Sequence, residues 1–211
     1  MVTKARRIRR SPEAAEREIL AAAEAAVAER PFRELSVDEL MGRTGMTRST
    51  FYHYFRSLDE VAVALLRRVQ AEMMEAARPW IEAPVDEDPA GVIERAIHDV
   101  AVVYAQHGPV LAAIHEASFQ YEAVQRAWRE GTLAEWIAAV ANRLREQRDH
   151  GLTRVEEPEE VARALLLMNT AVFVERLGMQ PADAPAQVAA TLSRVWVGAL
   201  YPELLVARPR G

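Results

Sequence analysis

Hydrophobic positions recur every three to four residues in segment after segment of this chain, and no run shows the period-two alternation of a half-buried strand. The pattern predicts an all-α protein of nine helices, at about 13–30, 37–43, 48–54, 58–79, 89–107, 109–119, 121–150, 159–177 and 185–200. Local chemistry marks the boundaries. Ser36 with Glu39 and Ser57 with Glu60 have the spacing of capping boxes, in which hydroxyl and carboxylate each satisfy a backbone N–H left open at a helix start. Pro89, Pro158 and Pro185 fall at or near first turns, where a missing amide hydrogen costs least, and Gly151 closes the seventh helix. Gly131, inside that helix, predicts a kink.

Two of these helices are very short and are joined by Thr44-Gly45-Met46, a turn in which glycine can adopt the positive φ that a sharp reversal needs. Such a pair is the physical core of a helix-turn-helix, which sets a second helix across the first and projects it from the surface. At 100° per residue, Phe51 and Phe55 share the buried face of the second helix, and Ser49 and His53 lie roughly opposite. Arg48 can reach base edges bidentately, and Ser49, Thr50 and His53 can hydrogen-bond them. Thr47, Tyr52 and Tyr54 carry hydroxyls suited to phosphate oxygens, and Thr47 is also the natural helix cap.

The string from Ser36 to Phe55, ending Thr50-Phe51-Tyr52-His53-Tyr54-Phe55 and followed by Ser57-Leu58-Asp59-Glu60-Val61, resembles the DNA-binding domain of TetR-family regulators over about residues 15–70. The resemblance implies a two-domain architecture: an N-terminal arm and three-helix reading head at 1–57, then a linker helix and a larger ligand-binding and dimerisation domain at 58–211. Arg30-Pro31, Leu167-Met168-Asn169 and Val195-Trp196-Val197 with Tyr201 resemble an actinobacterial branch of these repressors, the one controlling an ethionamide-activating monooxygenase. The family usually has a phosphate-contacting lysine where Leu58 stands and a small residue where Met41 stands, so that contact is not expected here.

Charge sharpens the division. The net charge of -5 hides an uneven spread: residues 1–56 carry eleven Lys and Arg against eight Asp and Glu, and the remainder fifteen against twenty-three. Lys4, Arg6, Arg7, Arg9 and Arg10 come without an acid among them, as in an arm attracted to phosphate. With no cysteine, no thiolate site or disulfide exists, which fits a reducing compartment. No apolar run approaches the roughly 20 residues of a membrane span, and the first ten residues lack a secretory pattern, so a cytoplasmic protein is expected.

The part beyond residue 79 holds all four tryptophans. Any one aromatic there is ordinarily core. Asn169 alters that picture, because it interrupts the uncharged run Ala164–Val174, and a buried carboxamide must be satisfied locally or kept for a ligand. The resemblance favours a ligand: Asn169 as the orienting polar group, with Trp136, Phe173 and Trp196 as walls and Thr170, Tyr104, Phe119 and Trp128 contributing. Helices eight and nine each carry two apolar stripes. They are Val161, Leu165, Met168 and Val172 beside Leu166, Asn169, Phe173 and Leu177, and Val188, Leu192, Val195 and Ala199 beside Ala189, Ser193, Trp196 and Leu200. Family resemblance implies that one stripe of each pairs with its mate in a homodimer through 159–177 and 185–200.

Catalysis finds little support. His115-Glu116 begins a zinc-protease pattern, but Phe119 stands where the second ligand is needed, and His98, His107 and His115 lack helical ligand spacing. No glycine-rich phosphate loop or serine elbow occurs. The expectation is a DNA-binding, non-enzymatic regulator without metal or cofactor, released from operator DNA by a small apolar or amphipathic effector.

Overall fold

The computed structural model describes residues 11–85, 87–179 and 181–206; Arg6, Arg7, Arg9 and Arg10 lie outside them. Regular structure among the described residues is entirely helical. In chain order the helices are α1 (Pro12–Glu29), α2 (Val37–Thr44), α3 (Arg48–Tyr54), α4 (Leu58–Ile81), α5 (Pro89–Gln106), α6 (Gly108–Ser118), α7 (Glu122–Arg126), α8 (Ala134–Asp149), α9 (Pro158–Arg176), α10 (Pro185–Leu200) and α11 (Pro202–Val206). The predicted seventh helix is thus divided: a π segment, Ala127–Leu133, separates α7 from α8 and contains Gly131. The irregularity foreseen at that glycine takes the form of a wider helical turn. The short α11 was not foreseen.

The helix starts follow their caps. Ser36 Oγ accepts from Glu39 N at 3.3 Å and Ser57 Oγ from Glu60 N at 3.4 Å. The reciprocal halves of both capping boxes are not made. Glu39 instead pairs with Arg30 at 2.9 Å, a stronger charge-assisted bond, and Glu60 reaches one residue further back, accepting from Arg56 N at 2.7 Å. Pro89, Pro158 and Pro185 each open a helix.

Two buried clusters organise the molecule. The first joins α1, α2 and α3 through Ile19, Leu40, Met41, Phe51 and Phe55, and is completed by Val61, Leu65 and Leu66 from the first half of α4. It also takes in Val110, Ile114 and Ala117 of α6. The second cluster begins at Val69 and Met73 on the same α4 and fills the space among α5, α8, α9 and α10. One helix of 24 residues, about 36 Å long, therefore runs through both cores. The start of α6 is pressed against α9: a Cβ on Gly108 would collide with the Leu177 carbonyl, so only glycine permits that approach.

Candidate nucleic-acid interface and ligand cavity

Seven residues cannot hold a helix by themselves, and α3 is kept helical by its buried side. Phe51 is fully buried and Phe55 nearly so, their rings 5.8 Å apart, each contributing about 1.5–3 kcal/mol by leaving water. The turn before α3 has Gly45 at φ 65°, the left-handed conformation expected of it. Thr47 caps the helix, its Oγ1 accepting from Thr50 N at 3.3 Å and lying 2.9 Å from the Thr50 hydroxyl.

Opposite the phenylalanines, Ser49 and His53 are exposed together with Arg48 and Tyr52. Thr50 and Tyr54 are half-buried, and Tyr54 packs against the first cluster. The result is a narrow, polar, protruding face with a hydroxyl, an imidazole and a guanidinium on it. Arg48 is not free in space. Its Nη1 lies 2.7 Å from Asp38 Oδ2, its Nη2 donates to the Tyr52 hydroxyl at 3.2 Å, and its Cζ stands 5.6 Å from the Tyr52 ring centroid. Asp38 was not singled out from the sequence, because its proximity to Arg48 depends on how α2 and α3 cross. Met41 is only 2% exposed and belongs to the core at that crossing, while Leu58 is half-buried against the same core.

The second site is a cavity of about 100 Å³ enclosed by α4, α5, α6, α8, α9, α10 and the π segment. Tyr104, Trp128, Trp136, Asn169, Thr170, Phe173 and Trp196 all line it. Phe119 does not. It is 75% exposed at the end of α6, its ring centroid 5.0 Å from that of His115 and the two rings perpendicular, because the helix terminates there and turns its side chain outward. Periodicity also passed over Trp80, Leu66 and Met73 on α4, and His115 and Ser118 on α6, all of which line the cavity. Among the described residues no glutamate, aspartate, lysine or arginine does.

Polar groups in the wall are largely occupied by one another. The Trp196 indole donates to Asn169 Oδ1 at 3.0 Å, so Asn169 has a local partner for its carbonyl and Trp196 is more than an apolar wall. Trp136 donates to Gln70 Oε1 at 2.7 Å, Thr170 to the Leu166 carbonyl at 3.0 Å and Ser118 to the His115 carbonyl at 2.7 Å. The Trp80 indole N–H is buried without a partner among the described residues. Burial pushes the Tyr104 phenol above its ordinary range and the His115 imidazole below its own, so the wall is kept uncharged.

Outward apolar residues on the last long helices differ from the predicted stripes. Val188 and Leu192 are buried within the subunit, beside Ala189 and Trp196 of the neighbouring stripe. The exposed track comprises Ala164, Leu167 and Ala171 on α9 and Val195 and Ala199 on α10.

The family described as "Bacterial regulatory proteins, tetR family" matches residues 19–65, and "Transcriptional regulator EthR, C-terminal domain" matches residues 93–202. The HTH-type transcriptional regulator EthR of Mycobacterium tuberculosis (strain H37Rv) is 34% identical over 187 residues, covering 88% of this chain and 86% of that protein. This chain belongs to the TetR family. Its C-terminal domain is of the EthR type, as the resemblance at Asn169 and Trp196 implied, and it is a transcriptional regulator. EthR of Mycolicibacterium smegmatis is 31% identical over 190 residues, covering 89% of this chain and 87% of that protein. Among solved structures, Salmonella enterica GusR superposes with a TM-score of 0.73 at 19% identity, covering 90% of this chain and 97% of that one. SmeT, the repressor of a Stenotrophomonas maltophilia multidrug efflux pump, gives 0.68 at 19%, covering 88% and 89%. At these identities the likeness is one of fold.

Proposed function

We propose that this TetR-family regulator is a cytoplasmic homodimeric repressor that leaves its operator when a small apolar or amphipathic molecule fills the cavity. The observation that carries this reading is that Leu66 and Ile114 belong to the reading-head core and also line the cavity. A ligand that displaces either side chain disturbs the packing that orients α3, because close-packed interiors transmit strain rather than absorb it. Such a ligand shifts the population only by binding one arrangement better than the other.

In this reading residues 1–57 form the arm and reading head, and residues 58–211 the linker helix and the ligand-binding, dimerising domain. Two copies of α3 enter major-groove half-sites about 34 Å apart, at a separation set by the dimer. Arg48, Ser49, Thr50 and His53 meet base edges, and Thr47, Tyr52, Tyr54 and the arginines of the arm meet phosphates. The dimer forms through α9 and α10, burying Leu167 and Val195. In the cavity Asn169 orients a polar head, with its amide N–H groups left to donate. The absence of formal charge in the wall, beyond a histidine held neutral by burial, favours a neutral effector. A cavity of about 150 Å³ accommodates benzene, so a larger effector requires the roughly 100 Å³ present here to widen.

A gel shift with the DNA immediately upstream of the protein's own gene tests the reading, with a panel of neutral apolar molecules as competitors. All four tryptophans line the cavity, so intrinsic fluorescence follows occupancy in the same titration. Molecules that change fluorescence are expected to release the DNA. Occupancy that leaves a bound complex untouched would refute ligand release.

A further inference from the structure

We propose that Asp38 is a specificity-determining positioning residue, which holds the Arg48 guanidinium in the orientation that reads a base pair. The inference rests on the reading that α3 is the DNA-contacting helix. Its own ground is the arrangement of three side chains from two helices: Asp38 on Arg48 Nη1 at 2.7 Å, the Tyr52 hydroxyl on Nη2 at 3.2 Å, and the Tyr52 ring 5.6 Å from Cζ.

An arginine at the first position of an exposed helix otherwise explores many rotamers and has to give up that freedom on binding. Here two partners grip its two terminal nitrogens, while a ring lies beside the guanidinium carbon. Each terminal nitrogen has a second N–H, and Nε has its own, so three of the five donors remain for a guanine O6/N7 pair. The grip therefore orients the fork without using it up.

Asp38 is otherwise an awkward residue to find there. Its side chain is 69% exposed, beside the face that would approach a polyanion, where an unpaired carboxylate would repel phosphate. Its position in the first turn of α2 suits the helix dipole, but that interaction acts on stability and is indifferent to base sequence. The ion pair itself lies in water and contributes little to stability. Base preference is thus the property that separates a positioning role from a structural one.

The test uses the full-length protein and a pool of randomised 40-base-pair duplexes, selected in parallel by the wild type, Arg48→Ala, Asp38→Asn, Asp38→Ala and the double variant Asp38→Asn/Arg48→Ala. Single-base changes in the recovered sequence are then measured by competition. Arg48→Ala is expected to relax discrimination at one base pair of each half-site by roughly tenfold, the scale of one bidentate contact. Asp38→Asn and Asp38→Ala should relax the same base pair, threefold or more, with no change elsewhere, and should add nothing in the double variant.

If both Asp38 variants keep the wild-type profile while Arg48→Ala loses it, Asp38 has no positioning role, although α3 still reads DNA. If they instead tighten binding to every duplex equally, the carboxylate merely repels phosphate, and the inference is overturned in the same way. If the wild type enriches no sequence, or Arg48→Ala leaves the profile unchanged, the reading beneath the inference fails and takes it along. Unchanged melting temperatures in the Asp38 variants keep these outcomes apart from misfolding.

Discussion

The Nδ1 atom of His107 lies 3.2 Å from Glu24 Oε1, joining the corner between α5 and α6 to the first helix of the reading head. The other ring nitrogen stands 3.0 Å from Glu72 on α4, and Arg68 of α4 pairs with Glu24 at 2.5 Å. Helices α1 and α4 and the corner between α5 and α6 thus meet at one half-buried polar joint. Burial works to raise the Glu24 carboxyl, but Arg68 and His107 outweigh it and hold the group below its ordinary value.

Glu24→Gln should accordingly destabilise the fold by roughly 1 kcal/mol at neutral pH. The folded chain binds that proton less readily than the unfolded one. The stabilisation is therefore present above the ordinary value of 4.5 and drains away as pH falls below it, through the depressed folded value. Denaturant midpoints of wild type and variant compared across this range should converge on the acid side. A gap that persists unchanged into acid would assign the effect to something other than this carboxylate.

Gly45→Ala places a Cβ on a backbone at φ 65°, although nothing crowds it sterically. The strain should cost about 1–2 kcal/mol, visible as a lower melting temperature. Because the turn sets α3 across α2, DNA binding should weaken by more than the loss of folded protein explains.

Leu58→Lys should restore the phosphate contact expected at this position from the family pattern. Binding to all duplexes should tighten alike, and the salt dependence should steepen by about one unit in the log–log slope for each subunit, about two for the dimer. An unaltered slope would place residue 58 out of reach of the backbone.

Asn169→Leu removes the acceptor of the Trp196 indole and leaves that N–H unpartnered, at a cost of about 1–3 kcal/mol. Fluorescence titration with polar-headed apolar probes should show weakened binding, while the gel shift of ligand-free protein persists. Parallel loss of both would make Asn169 a folding residue.

Much of this was legible in the linear sequence. Caps, prolines and apolar spacing act within a few residues, so Ser36, Ser57, Pro89, Pro158 and Gly45 marked their boundaries without knowledge of the fold. The buried face of α3 followed from the 40° between Phe51 and Phe55. The aromatic set around Asn169 was legible as well, because a carboxamide in an uncharged run is itself unusual.

What the chain could not disclose on its own depends on how helices cross and where they end in space. Phe119 has the composition of a cavity residue, but it caps the final turn of α6 and faces water. On α10 periodicity drew two equivalent stripes, and packing on α5 buried Val188 and Leu192, leaving only Val195 and Ala199 of their stripe outside. Asp38 beside Arg48, Gln70 beneath Trp136 and Glu24 against His107 are separated by 10, 66 and 83 positions. The sequence by itself determined most of the helical segments and which side of α3 is apolar, because those are short-range properties of the backbone; the division of α7 from α8 and the short α11 were not legible in it. Tertiary structure alone decided these pairings and the walls of the cavity, because hydrogen bonds and ion pairs act over a few ångströms of space irrespective of distance along the chain.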